Sequence, residues 1–238
     1  MKINIAHLYP DLLNLYGDKG NIASMVKRLE WRGIEAQVTE YKLEDDIDFE
    51  NTDIILLGGG TDREQLQVSK RLMDFKDTFK DYVEKGGVVL ALCGGYLTLG
   101  EYYMLDSEKV EGLGILDIRT NLAKNRFIGD IVIKTSLGDA PVVGFENHAG
   151  RTDIGSHEAL GQVVYGNGNN GSDKKEGVIY KNTIGTYLHG PVLPKNPHLC
   201  DRLLSAAVKN KDSDFVFESL DDTMEFAANA TIVGRYVK

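Results

Sequence analysis

The first place in this chain where residue types and spacing can do chemistry is Cys93-Gly94-Gly95. It follows Val88-Val-Leu-Ala-Leu92, a continuous apolar run of the kind that forms a strand buried on both faces. Two glycines allow a turn too sharp for residues with a β-carbon, and helix-forming residues begin at once. This layout predicts a strand–nucleophile–helix elbow with the cysteine exposed at the top of a sheet. The positive end of a helix dipole there favours the thiolate, the form of cysteine that attacks. The plainer alternative is a buried strand-end cysteine, since free cysteines are commonly core residues. Gly94 and Gly95 favour the nucleophile.

A cysteine nucleophile needs a base, which can be distant in sequence and near in space. Of the five histidines, His189 ranks first, because it follows the apolar stretch Thr183–Leu188 and precedes Gly190-Pro191. His148, in Phe145-Glu-Asn-His-Ala-Gly-Arg151, ranks second; His7 ends a first strand, and His157 and His198 read as surface residues. A second buried run, Ile54–Leu57, ends in Gly58-Gly-Gly60, where backbone N–H groups can approach a ligand closely. It lacks the Gly-Lys-Ser/Thr continuation of a phosphate loop and the spaced third glycine of a dinucleotide fingerprint.

The elements that must position these residues follow from periodicity. Strands are expected at Lys2–His7, Ile34–Tyr41, Ile54–Leu57 and Val88–Leu92. Helices are expected at Ile22–Arg32, capped by Asn21, and at Arg63–Glu84, broken near Phe75–Thr78. The pattern is an α/β fold with a mostly parallel, doubly wound central sheet flanked by helices, its site at the strand C-terminal ends. After Met104 short β segments dominate: Gly112–Leu116, Asp130–Lys134, Val142–Phe145, Gly161–Val164, Val178–Tyr180 and Ile184–Leu188, with antiparallel pairing and a turn at Lys181-Asn182. Tyr165–Glu176 reads as an exposed, mobile loop, Asn196–Lys209 as a helix, and the end of the chain as a surface helix and tail. No repeat or linker interrupts the 238 residues, so one domain is expected: residues 1–195, with the helix and tail of 196–238 extending it.

A balance of 27 basic to 36 acidic residues, net −9, argues against general nucleic-acid binding. No apolar run approaches the ~20 residues of a membrane span, and the N-terminus lacks the pattern of a signal peptide. Two cysteines form neither a disulfide framework nor a zinc site. A cytoplasmic protein is expected.

Leu56-Leu-Gly-Gly-Gly60, Leu90-Ala-Leu-Cys-Gly-Gly-Tyr96 and Gly185-Thr-Tyr-Leu-His-Gly-Pro191 resemble class I, triad-type glutamine amidotransferase domains of the cobyric acid synthase-like branch. Four more motifs resemble the glutaminase subunits of lipid II isoglutaminyl synthases: Gly59-Gly-Thr-Asp-Arg-Glu64, Asn125-Arg-Phe-Ile-Gly-Asp130, Gly144-Phe-Glu-Asn-His148 and Asp173-Lys-Lys-Glu-Gly177. The likeness runs from about Leu13 to Pro194 and leaves the C-terminal tail uncovered.

The resemblance implies hydrolysis of L-glutamine to glutamate and ammonia through a thioester on Cys93, with His189 as acid and base. It also implies N–H groups of Gly60 and Gly94 as the oxyanion hole and Arg126 as the substrate-holding residue. It implies a Mur-ligase-like (MurT-like) partner subunit that holds ATP and magnesium and amidates the D-glutamate of the lipid-linked stem peptide. This chain itself would carry no cofactor or metal, and would meet the membrane only through that complex. One motif departs from the family: His189-Gly190-Pro191 stands where most members have His-Pro-Glu. The orienting acid is then expected from elsewhere in the chain, with Glu146 a candidate, or from the partner. The alternatives are a cobyrinate-type amidase component and a non-catalytic binding module of the same fold.

Overall fold

The computed structural model describes residues 1–237. The first half runs β1 (Lys2–Leu8), α1 (Lys19–Glu30), β2 (Glu35–Tyr41), β3 (Ile54–Leu57), α2 (Asp62–Leu72), α3 (Lys76–Glu84), β4 (Val88–Leu92) and the short α4 (Gly94–Thr98). The second half runs β5 (Tyr102–Leu105), β6 (Glu108–Glu111), β7 (Arg119–Lys134), β8 (Val142–Asp153), β9 (Gly161–Tyr165), β10 (Lys175–Glu176), β11 (Val178–Tyr180) and β12 (Thr183–Thr186), then α5 (Pro197–Lys211) and α6 (Thr223–Tyr236).

β3 and β4 are buried at every position, because both faces of their sheet are covered. Alternate residues divide between two cores. Leu56 and Leu90 face α1 and α5 with Met25, Leu29, Leu199 and Leu203, whereas Ile55, Leu57, Val89 and Ala91 face α2 and α3 with Val68, Leu72 and Phe79. The sheet order is β11-β12-β4-β3-β1-β2, parallel from β12 to β2, with β11 antiparallel at the edge. The chain leaves β1 first to one side, into β2, and then returns to the other, into β3. Ligands bind at such a switch point, outside the strand C-terminal ends. The order sets the ends of β1, β3, β4 and β12 side by side, and the last three each carry one expected site segment. A second, mixed sheet has the order β10-β9-β7-β5-β6, with β8 paired to β7.

Several local expectations change in the structure. The first helix starts at Lys19, not after an Asn21 cap. Asn21 lies buried within it, and its Oδ1 accepts the Leu193 N–H at 2.9 Å, a tertiary bond that outweighs its capping preference. The break before α3 comes as a 3₁₀ turn at Met73–Phe75, slightly earlier than expected. Gly112–Leu116 is not a strand. Its N–H groups cap the carbonyls that end α4, from Leu113 to Thr98 (2.8 Å) and from Ile115 to Leu99 (3.0 Å). The strands there are the hairpin β5–β6, turned at Asp106 with φ 51°. β7 begins at Arg119, well before Asp130, because its polar outer half pairs with an equally extended β8. The segment from Tyr165 to Glu176 is pinned, with Asn169 and Glu176 buried, and Asn169 exchanges bonds of 3.0 Å with both backbone groups of Gly177.

The C-terminal helices are locked to α1 by charge. Arg28, 2% exposed, donates to Asp201 at 2.6 Å through Nε and Nη2 and to Asp222 at 2.5 Å through Nη1. Arg28→Ala leaves Asp222 without its arginine and Asp201 with Arg32 alone, 2.6 Å away, and we expect a loss of about 3 kcal/mol. Thermal unfolding should fall by roughly 6–12 °C for a domain of this size, as read by calorimetry.

Candidate active site

Cys93 sits between β4 and α4 with φ 47° and ψ −105°, outside the regions open to residues with a β-carbon. Such a backbone costs about 1–3 kcal/mol and persists only where its surroundings over-determine it. Here they do. The Cys93 N–H donates to Thr186 O on β12 at 2.8 Å, and its carbonyl accepts the Leu97 N–H at 3.0 Å within α4. Gly95 N–H donates to Gly58 O at 3.1 Å, joining the two glycine turns. A β-carbon on Gly95 would lie 2.5 Å from Leu57 O, and one on Gly94 would lie 2.6 Å from Gln65 Oε1. Glycine is the residue that allows this approach.

The second glycine turn is held from outside by the loop after β1. Asp18 Oδ2 accepts the Gly59 N–H at 3.1 Å, and Leu15 N–H donates to Gly59 O at 3.1 Å. In a trans peptide the carbonyl and the next N–H point in opposite directions. Fixing Gly59 O against the loop therefore turns the Gly60 N–H toward the pocket that Gly60 lines with Cys93 and Arg126.

His189 arrives beside them from β12. Its backbone is tied to Phe145 of β8, His189 N–H to Phe145 O at 2.9 Å and Phe145 N–H to His189 O at 3.2 Å. A β-carbon on Gly59 would stand 3.2 Å from Cys93 Cβ and 3.5 Å from His189 Cε1, so both residues close on the same side of that glycine. His189 is fully buried, its ring lies 4.1 Å from the Tyr16 ring between centroids, and neither ring nitrogen has a hydrogen-bond partner among the described residues. Burial, with His148 and Arg126 adding to it, pushes the imidazole down to about 3. Burial likewise pushes the Cys93 thiol up to about 12, against the Gly94 N–H that favours the thiolate. The pair rests as thiol and neutral imidazole.

Arg126, from the irregular part of the β7–β8 ladder, reaches the same pocket. Its Nε donates to Asn147 Oδ1 and its Nη2 to Asn147 O, each at 3.0 Å. His148 lines the pocket too, stacked on Tyr187 with centroids 3.6 Å apart, and its Nδ1 meets Gly150 O at 2.9 Å. Glu146 does not reach His189. Its carboxylate accepts the N–H groups of Asn167 and Gly168, each at 2.9 Å, and lies 3.9 Å from His148 Nε2. Burial alone would raise it, but His148 and these amides hold it below the usual carboxylate range.

Cys93, His189, Gly60, Gly94 and Arg126 therefore meet at one end of the sheet, and Glu146 stands one partner away. A wider recess opens near Asp53, Tyr82 and Lys211, toward the other end of β3 and β4, and holds none of these residues. Tyr16, Asp18 and Asn147 belong to the site without having been singled out in the sequence. The loop Asn14–Asn21 carried a usable signal, because a segment following β1 at a topological switch point must border the site.

Fold and site together define a glutamine amidotransferase of the class I architecture. The chain belongs to the CobB/CobQ-like glutamine amidotransferase domain family, which it matches over residues 4–197. It is 44% identical over 237 residues to the Staphylococcus aureus (strain N315) lipid II isoglutaminyl synthase (glutamine-hydrolyzing) subunit GatD, covering 98% of this chain and 96% of that one. The GatD subunit of Streptococcus pneumoniae (strain ATCC BAA-255 / R6) is 46% identical over 213 residues, 88% of this chain and 82% of that one. Cobyric acid synthase of Listeria welshimeri is 32% identical over 151 residues, covering 60% of this chain and 29% of that protein. A crystal structure of a glutamine amidotransferase shares the fold, with a TM-score of 0.51 at 17% identity over 85% of this chain and 98% of that one.

Gly59→Ala tests the geometry. The methyl meets Cys93 Cβ at 3.2 Å, close enough to part the thiol from the imidazole without unfolding the domain. We expect glutamine hydrolysis to fall about 10–100-fold while the unfolding temperature stays within a few degrees of wild type.

Proposed function

We propose that this chain is the glutaminase subunit of a lipid II isoglutaminyl synthase. The observation that carries the reading is the convergence of Cys93 and His189 beside Gly59, in a chain that aligns over nearly its whole length with a GatD subunit. Arg126 receives the α-carboxylate of L-glutamine, for which a guanidinium fork is the matching donor. Cys93 Sγ attacks the side-chain amide carbon while its proton passes to His189. Gly60 and Gly94 N–H groups stabilise the oxyanion of the tetrahedral intermediate. His189 returns its proton to the departing nitrogen, ammonia leaves, and a γ-glutamyl thioester remains. A water deprotonated by His189 then releases glutamate and restores the thiol.

Ammonia passes to a MurT-like ligase subunit, which holds ATP and magnesium and amidates the D-glutamate of the lipid-linked stem peptide. This chain needs no metal or cofactor for its own step, and contacts the membrane through that complex. With Glu146 engaged by the Asn167–Gly168 amides, and both His189 ring nitrogens without partners among the described residues, we assign the orienting carboxylate to the ligase subunit. The cobyrinate-type reading is less well supported, because the cobyric acid synthases align with only 60% of the chain.

The direct test is glutamate release with and without the ligase subunit. Cys93→Ala should abolish it in both settings, and unchanged release from that variant would remove the mechanism. The pH dependence gives a second test. With the thiol up at about 12 and the imidazole down at about 3, the thiol and neutral imidazole that the mechanism requires dominate across the range between. The isolated chain's kcat/KM should therefore stay nearly flat from about pH 6 to about pH 9. A partner carboxylate beside His189 raises the imidazole and makes it a stronger base, so the complex should be faster near neutral pH and lose activity as pH falls through the raised imidazole value. Identical profiles would place the acid elsewhere.

A further inference from the structure

The loop after β1 holds two separate working groups through one side chain. The Tyr16 ring lies against His189, with 4.1 Å between centroids and 35° between planes. Its hydroxyl accepts Asn147 Nδ2 at 2.6 Å, and Asn147 in turn accepts Arg126 through both its side-chain and its backbone oxygen, each at 3.0 Å. The loop itself is anchored on the glycine turn by Leu15 and Asp18, both bonded to Gly59 at 3.1 Å.

Among the described residues, each end of this chain of contacts lacks another support of its kind. The His189 backbone is fixed by Phe145, but among the described residues no hydrogen bond reaches either ring nitrogen, and none of them sets the plane of the imidazole by a polar contact. An aromatic face stacked on it does so by shape. Arg126 is exposed, and a long side chain without an anchor spreads over many rotamers. Asn147 collects its Nε and Nη2, leaving Nη1 without an acceptor among the described residues and available to a ligand.

We propose that Tyr16 is a positioning residue for glutamine turnover: its ring sets the plane of His189, and its hydroxyl sets Arg126 through Asn147. The proposal rests on the functional reading above for its catalytic consequence, and on geometry alone for the two alignments. It separates two duties within one side chain. The ring serves proton transfer, and the hydroxyl serves binding of the substrate carboxylate. A partner carboxylate would still fix the tautomer of His189, which stacking cannot do.

Tyr16→Phe and Tyr16→Ala divide these duties, measured in complex with the ligase subunit. Tyr16→Phe keeps the ring and loses the hydroxyl, so KM for glutamine should rise roughly fivefold with kcat nearly unchanged. Asn147→Ala should reproduce that change. Tyr16→Ala loses both, so kcat should fall by about tenfold or more as well. In the isolated chain its His189-dependent limb should move up from the depressed value toward ordinary histidine, because water now reaches the ring. A Tyr16→Ala enzyme with wild-type kcat and profile, or one indistinguishable from Tyr16→Phe, would overturn the proposal.

A second readout needs no turnover. The His189 Cε1–H resonance should carry an upfield ring-current shift in wild type and Tyr16→Phe, and lose it in Tyr16→Ala. An unmoved resonance refutes the alignment whatever the chain does to glutamine. Cys93→Ala in the same assays keeps the two questions apart, since glutamate release from that variant defeats the functional reading and leaves the resonance result standing.

Discussion

The hydrogen bond from Gly95 N–H to Gly58 O, 3.1 Å long, is the contact on which the site depends. It joins the turns that end two neighbouring buried strands, and it exists because neither turn carries a side chain at the point of approach. A β-carbon on Gly95 would lie 2.9 Å from Gly58 O, and one on Gly58 would lie 2.3 Å from Leu13 O. Close nesting of backbone in turn holds Cys93 at a φ of 47° that it would not adopt alone. The order of the sheet supplies the rest, since β12 lies beside β4 and delivers His189 to the same side of Gly59 as Cys93.

The electrostatics of this arrangement favour rest over activity. The thiol, the imidazole and two nearby acids are all driven toward their neutral forms by burial: Cys93 up to about 12, His189 down to about 3, Asp18 up to about 6 and Glu176 up to about 7. Glu176 accepts Thr186 Oγ1 at 2.7 Å and the Tyr187 N–H at 2.8 Å, and so fixes the end of β12 just before His189. A site tuned in this way makes little thiolate until another charge enters. That property suits the proposed role, in which ammonia is useful only when an acceptor is waiting and the ligase subunit brings the orienting carboxylate.

Much of this was legible in the chain because its causes are local. Apolar runs followed by glycines mark β3, β4 and the two turns, and Cys93 and His189 stand out by what precedes and follows them. Lys181-Asn182 turns the β11–β12 hairpin as its composition suggests, with Lys181 at φ 54°. What stayed hidden depends on partners far away in sequence. The Asn14–Asn21 loop reads as an ordinary turn-rich connection until the sheet order places it on the switch point. Asn147 reads as one polar residue among several until the β7–β8 ladder sets it beside Arg126. Asn21 looked like a helix cap because capping preference is visible in a sequence, whereas its bond to Leu193 is not.

The central claim is that Cys93 becomes covalently charged with the γ-glutamyl group. Acid-quenching the complex within its first turnovers of glutamine, then mapping peptides by mass spectrometry, tests it most directly. A glutamyl adduct should appear on the peptide containing Cys93, disappear on treatment with hydroxylamine, and be absent from the buried Cys200. Glutamate produced with no adduct on Cys93 at any quench time, or an adduct on another residue, would contradict the account.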